Sequence, residues 1–327
     1  MRHSCETPGR PAIRIEQSPN VKGPQGAGIA LALLTPLLFA ASDTAVRYLN
    51  GTVPLIAILA MRYATHLLVM GPFLAFSRRH GFATANPVFQ IVRGLLLLGC
   101  SGLFLIALQH MPVAECTAVL MLTPVMVTLM AATLLKESVT LLRWGLVLGA
   151  FAGVLVIVRP GSGIFGWSAL LPLGAALFFA MFQTLTSRYA AREDAYSTHF
   201  WTAAVGMAAL LPIAALTHTS DPSGGLMDSL TALPARSLAV LLGIGLASTA
   251  GHLWLILAFE RAPASVVSPL LYLQIAAALL FSGWLLGQWP DALGWFGMAI
   301  VAVCGASTAR LNTGPKTPPK LSSTCRG

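Results

Sequence analysis

Asp43, Arg62 and Glu115 are ionisable side chains set inside long apolar runs of the chain. In lipid a charge is costly enough that it faces a bundle interior, where it commonly marks a substrate or ion pathway. Asp43 and Arg47 stand four residues apart, as do Arg62 and His66, so each pair shares one helix face. Asp43 reads as an ion-pair partner of Arg47 or as a pathway group. Arg62 lacks a counterpart later in the chain, because Thr198–Leu211 offers only His199 and Trp201 as large polar-capable groups. Such a lone guanidinium points to an anionic substrate group, or to a counter-ion for Asp43 or Glu115. Permanently paired, it would instead tie three helices together. Glu115 falls in the first turn of its helix, where the dipole favours an acid; held in a dry site it would bind and release a proton during turnover. Further on, Gln183, His252, Trp254, Tyr272 and Gln274 supply hydrogen-bonding and stacking groups. Together they suit a cavity for a planar substrate, although each alone also fits an interhelical contact. Gly145, Gly149 and Gly153 form a small-residue stripe that lets a neighbouring helix approach, within the bundle rather than between two copies.

The elements that must position these groups are ten apolar stretches: 27–49, 53–76, 90–109, 112–135, 141–158, 166–187, 197–217, 237–258, 264–286 and 291–309. About 20 helical residues cross a bilayer core of roughly 30 Å, and only helices or closed barrels satisfy their own backbone there. Barrel strands would alternate apolar and polar residues, whereas Gly28–Ala41 and Val147–Val158 are apolar all round. Hydrophobic residues make up 56% of the chain and charged ones 9%, with a mean hydropathy of +0.76. The pattern predicts an all-α polytopic membrane protein with ten transmembrane helices. The net charge of +9 comes from helix ends and tails, and no basic stripe interleaved with aromatics points to nucleic acid. Five scattered cysteines show no C-x-x-C spacing. Residues 1–26 form a polar tail without a cleavable signal peptide, so the first helix serves as the targeting signal. Residues 311–327 read as a disordered tail.

Counting Lys and Arg sets the orientation: sixteen fall on one side and three, Arg47, Arg159 and Arg236, on the other. The basic side is cytoplasmic, which puts both termini there. The chain also repeats itself: Ala107–Pro112 matches Ala258–Pro263 at an offset of 151, and Leu134–Glu137 matches Leu285–Gln288. Each unit, 27–158 and 166–310, holds five helices, so the second copy enters the membrane upside down. The charges follow: Lys136-Glu137 becomes Gly287-Gln288, and Gln109-His110 becomes Glu260-Arg261. Two inverted five-helix repeats can rock about a shared midplane site and expose it to each side in turn.

The chain resembles the drug/metabolite transporter superfamily, and within it the EamA family of ten-helix proteins. The resemblance rests on Phe39-Ala40-x-Ser42-Asp43-x-x-Val46-Arg47-Tyr48, Arg62-Tyr63, Ala107–Pro112 with Ala114-Glu115, Pro124, Glu137 and Trp144-Gly145. In the second half it rests on Gly251-His252, Ala258-Phe259, Pro263-Ala264-Ser265, Pro269, Tyr272-Leu273-Gln274 and Pro290-Asp291. One departure is Gly287-Gln288, where the family often places Gly-Glu. The resemblance implies a secondary carrier, in a bacterial-type inner membrane, for a small metabolite, amino acid or vitamin-like solute such as riboflavin or S-adenosylmethionine. Export and uptake both fit, as do a monomer and a homodimer. No Gly-Lys dipeptide occurs, which excludes a Walker A loop, and no metal or cofactor motif is present. An integral-membrane enzyme would need convergent His, Asp or Ser residues at one interface, which the sequence lacks. A scaffold without transport would gain little from buried charge.

Overall fold

The computed structural model describes residues 25–49, 51–110, 113–133, 139–158, 167–189, 192–220, 233–287, 289 and 291–313. The outer tails, Lys136, Glu137 and Gln288 lie outside these residues, as does the side chain of Glu115. All regular structure among the described residues is helical: α1 Gln25–Tyr48, α2 Leu55–Phe76, α3 Pro87–His110, α4 Val113–Leu120, α5 Thr123–Thr133 and α6 Leu141–Val158. A short 3-10 turn, Trp167–Ala169, leads into α7 Leu170–Tyr189 and α8 Ala195–Ser220. There follow α9 Ala235–Arg261, α10 Ala264–Leu270, α11 Leu273–Leu286 and α12 Ala292–Thr313.

Seven of these stretches are long and apolar enough to cross a bilayer, with α10 and α11 counting as one, Val266–Leu286. Two shorter apolar stretches, Leu141–Val156 and Ala292–Cys304, and the interrupted α4–α5 stand where the sequence predicts the other three. The polarity is that of a protein in lipid. Leu68, Phe76, Val88, Leu246 and Trp284 are exposed, whereas Asp43, Arg62, Arg93, Gln183 and His252 are buried.

The fourth and ninth predicted helices differ from expectation, since each is broken near its middle. Leu122 N donates to the Val119 carbonyl at 3.1 Å, and Leu271 N to the Ser268 carbonyl at 3.1 Å, so both breaks are short i→i+3 turns. Proline is the local cause: Pro124 sits in the first turn of α5, where its missing N–H costs nothing, and Pro269 withholds a donor near the end of α10. The Thr123 hydroxyl donates to the Leu120 carbonyl at 2.5 Å, covering an acceptor that the break exposes.

Helices of the two predicted units interleave. α1 packs on α9 and α11, α3 on α7 and α8, α2 on α8 and α9, α5 on α7 and α10, and α6 on α12. Glycines permit the tightest approaches: a Cβ at Gly245 would collide with Thr65, one at Gly206 with the Tyr63 ring, and one at Gly94 with Val205. Of the predicted glycine stripe, Gly149 and Gly153 abut α12 at Cys304 and Ile300, while nothing lies within 4 Å of a Cβ at Gly145. The centre of this weave holds the polar side chains.

Candidate functional site: a polar cavity at the bundle centre

A small, partly open cavity lies between α1, α2, α3 and α4 on one side and α7, α9 and α11 on the other. Its polar wall is Asp43, Arg62, Ser101, His252 and Gln274, and its apolar wall includes Phe39, Phe104 and Phe179. The Asp43 carboxylate accepts a hydrogen bond from Gln274 Nε2 at 2.8 Å. Arg62 donates through Nε and Nη2 to Ser248 Oγ at 3.1 and 2.9 Å. His252 Nδ1 lies 2.9 Å from the Ser248 carbonyl, an acceptor only, so Nδ1 carries the proton and Nε2 is left to accept. Its ring tilts against Phe39, with centroids 4.7 Å apart.

Asp43 and Arg62 therefore face one cavity from different helices, each held by a neutral partner, and no ion pair joins them. Nor does Asp43 pair with Arg47, the alternative that the i,i+4 spacing offered. Arg47 Nη1 instead donates to the Leu108 carbonyl at 2.8 Å, one of the four carbonyls that the end of α3 leaves without intrahelical donors. A carboxylate and a guanidinium kept apart in one low-dielectric space can each engage a ligand group of opposite charge.

The other predicted site residues divide. His252 and Gln274 line the cavity. Gln183 is fully buried, and its Oε1 accepts from Ser268 Oγ at 2.8 Å, which ties α7 to α10. Tyr272 sits in the α10–α11 break, wholly buried. Neither it nor Gln183 lines the cavity, and Trp254 is half-buried outside it. Sequence reasoning missed Ser248, Cys100 and Ser101, small residues on apolar helices with no signal beyond their place one or two turns from a charged neighbour. It also missed that His66, His199 and His252 cluster, with ring centroids 4.7 to 6.5 Å apart.

At one end of the bundle the loop 77–86 is stitched to the start of α8. His80 meets Asp194 at 2.6 Å. Glu193 accepts from Thr84 Oγ1 at 3.1 Å and from the backbone N–H groups of Ala85 and Asn86 at 3.3 and 2.9 Å. Trp201 Nε1 donates to the Phe82 carbonyl at 2.7 Å. Glu193 thereby fixes the chain that enters α3, whose first turn is capped by Asn86 Oδ1 accepting from Phe89 N at 3.1 Å.

Fold and site define a polytopic helical membrane protein with a charged cavity enclosed by helices from both ends of its chain. Residues 26–159 and 166–307 each match the EamA-like transporter family, so the chain belongs to that family. It lies within the drug/metabolite transporter superfamily and is a membrane transporter of a small metabolite, not an enzyme. The S-adenosylmethionine uptake transporter of Rickettsia felis is 25% identical over 274 residues, 84% of this chain and 89% of that protein. The riboflavin transporter of Vibrio cholerae is 26% identical over 290 residues, covering 87% and 93%. The pseudopaline exporter of Pseudomonas aeruginosa is 27% identical over 296 residues, covering 88% and 97%. One solved crystal structure shares the fold with a TM-score of 0.69 at 20% identity, over 88% of this chain and 98% of that one.

Proposed function

We propose that this protein is a ten-span, inner-membrane secondary transporter in which two inverted units, 27–158 and 166–310, alternately expose the central cavity, both termini being cytoplasmic. The observation that carries the reading is the cavity itself: its walls come from both units, and it holds Asp43 and Arg62 unpaired with each other. The broken helices α4–α5 and α10–α11, related by the same offset of about 150 residues as the sequence repeat, support two related units. The loop seam between 77–86 and 193–201 joins the first unit to the second at one end, which is what a gate on a rocking pair requires.

The substrate that suits these walls is a small metabolite bearing an anionic group for Arg62, an ammonium or other donor for Asp43, and a flat body to lie among Phe39, Phe104 and Phe179. S-adenosylmethionine, named for the Rickettsia relative, has this chemistry; riboflavin, named for the Vibrio one, supplies the flat ring without the zwitterion. Reconstituted protein tested with labelled S-adenosylmethionine, riboflavin and amino acids should accumulate or exchange a zwitterion. Liposomes that move none of the three classes, with correctly inserted protein, would reject the proposal.

A further inference from the structure

One turn beyond the cavity, buried polar groups continue in a row toward the end where the 77–86 loop meets α8. His66 follows Arg62 by four residues on α2, about 6 Å along the axis at ~1.5 Å per residue. Its ring packs against His199 of α8 at 4.7 Å and against His252 of α9 at 5.7 Å. All three histidines are 4% exposed or less. Past them lies Arg93 of α3, fully buried, its guanidinium 4.4 Å over the Phe182 ring. Arg93 Nε donates to Thr186 Oγ1 at 2.8 Å and Nη1 to the Thr198 carbonyl at 3.2 Å and to Thr202 Oγ1.

These groups differ from the cavity walls in one respect. Asp43, Arg62, Gln274 and His252 have hydrogen-bond partners, whereas both ring nitrogens of His66, both of His199, and Nη2 of Arg93 have none although buried. A native interior rarely leaves so many polar atoms unmatched at one place without a ligand or water to meet them in another state. A metal does not explain them, because no set of three His, Cys, Asp or Glu among the described residues is arranged to hold one. Among the described residues no Asp or Glu hydrogen-bonds to any of the four, and the Glu193 carboxylate beyond them is engaged by Thr84, Ala85 and Asn86. His66 and His199 each keep one unspent N–H, and with the guanidinium of Arg93 these donors suit an anion.

We propose that His66, His199, His252 and Arg93 are the collapsed half of the substrate path, which opens when the 77–86 seam parts and passes an anionic group, a carboxylate or phosphate carried by the substrate, from Arg62 to Arg93. This rests on the alternating-access reading above and adds to it the route and the charge of the travelling group.

The labelling itself needs no knowledge of the substrate, and transport is followed with the solutes named above. In full-length protein with all five cysteines replaced by alanine, Thr202→Cys and, separately, Ala203→Cys place a thiol beside the row. Each is exposed in proteoliposomes to two impermeant methanethiosulfonates, one bearing a sulfonate and one a trimethylammonium. Both thiols should react from the compartment that the 77–86 loop faces, the sulfonate reagent at least about tenfold faster, as a cleft of one charge sign concentrates its counter-ion. Arg93→Gln should bring the two rates together. Thiols that stay unlabelled in protein that still transports would make the row packing alone and leave the transport reading standing. Labelling without charge preference would overturn the anion route. Failure of the parent protein to transport any solute would strike the earlier reading, and the labelling pattern would tell the two failures apart.

Discussion

At the residue scale the proposed transport rests on charges that the fold keeps separate. Arg62 spends two donors on Ser248 and retains Nη1, while Asp43 spends one oxygen on Gln274. A hydrogen bond to a charged group is worth roughly 1.5–3 kcal/mol, or about ten- to a hundredfold in an equilibrium. Arg62→Ala should lower the transport rate by at least about tenfold with insertion and yield unchanged, as membrane fractionation and flux assays would show. Arg62→Lys should not restore it, since an ammonium cannot reproduce the two-pronged contact with Ser248. Asp43→Asn keeps the size and much of the hydrogen bonding but removes the charge. Its expected effect is loss of preference for an amine-bearing substrate over its des-amino analogue, measured by competition for uptake; an unchanged ratio would place Asp43 outside recognition. The positions of Asp43, Arg62, His252 and Gln274 were legible in the sequence, because ionisable and amide groups inside apolar runs are conspicuous. Tyr272 and Gln183 have the same signature yet do not line the cavity, since periodicity does not say which buried face meets a cavity and which meets a helix. The histidine row was illegible for the opposite reason: His66, His199 and His252 are far apart in sequence, and each looks like a lone histidine on an apolar helix.

Elements are held close where glycine removes a side chain. Gly245 on α9 lies so near Thr65 on α2 that any Cβ there would overlap it, whereas Gly145 on α6 faces open space. Overpacking costs typically about 1–3 kcal/mol, and at a contact that must slide it would also arrest motion. Gly245→Ala should therefore reduce both the unfolding temperature and transport, while Gly145→Ala should alter neither, as thermal unfolding of purified protein and a flux assay would reveal. Equal behaviour of the two variants would remove the α2–α9 contact from the mechanism. Helix existence was readable from apolar length, but the breaks at Met121–Leu122 and Leu271–Tyr272 were not. Their sequences stay largely apolar, and the clue was the pair of prolines, Pro124 and Pro269, which a hydropathy window averages away.

For the whole molecule, the expectation is an inverted pair of five-helix units with a cytoplasmic excess of sixteen Lys and Arg over three. Single thiols introduced beside Lys136 and beside Gln288 should react with an impermeant reagent from opposite sides of the membrane. Reaction from the same side would make the units parallel and end the two-fold rocking scheme. Membrane class and repeat were visible because bilayer thickness and loop charge act on long segments and leave a strong average signal. How the units interleave, with α2 packed between α8 and α9, depends on contacts between residues more than a hundred positions apart, which no local pattern encodes.

Ser101 lines the cavity on α3 and offers the most direct test that this space is reached from both compartments in turn. With Ser101→Cys in cysteine-free protein that retains transport, an impermeant thiol reagent should label the site from either side, and a transported solute should slow both reactions. Labelling confined to one side while transport continues would contradict a shared, alternately exposed cavity.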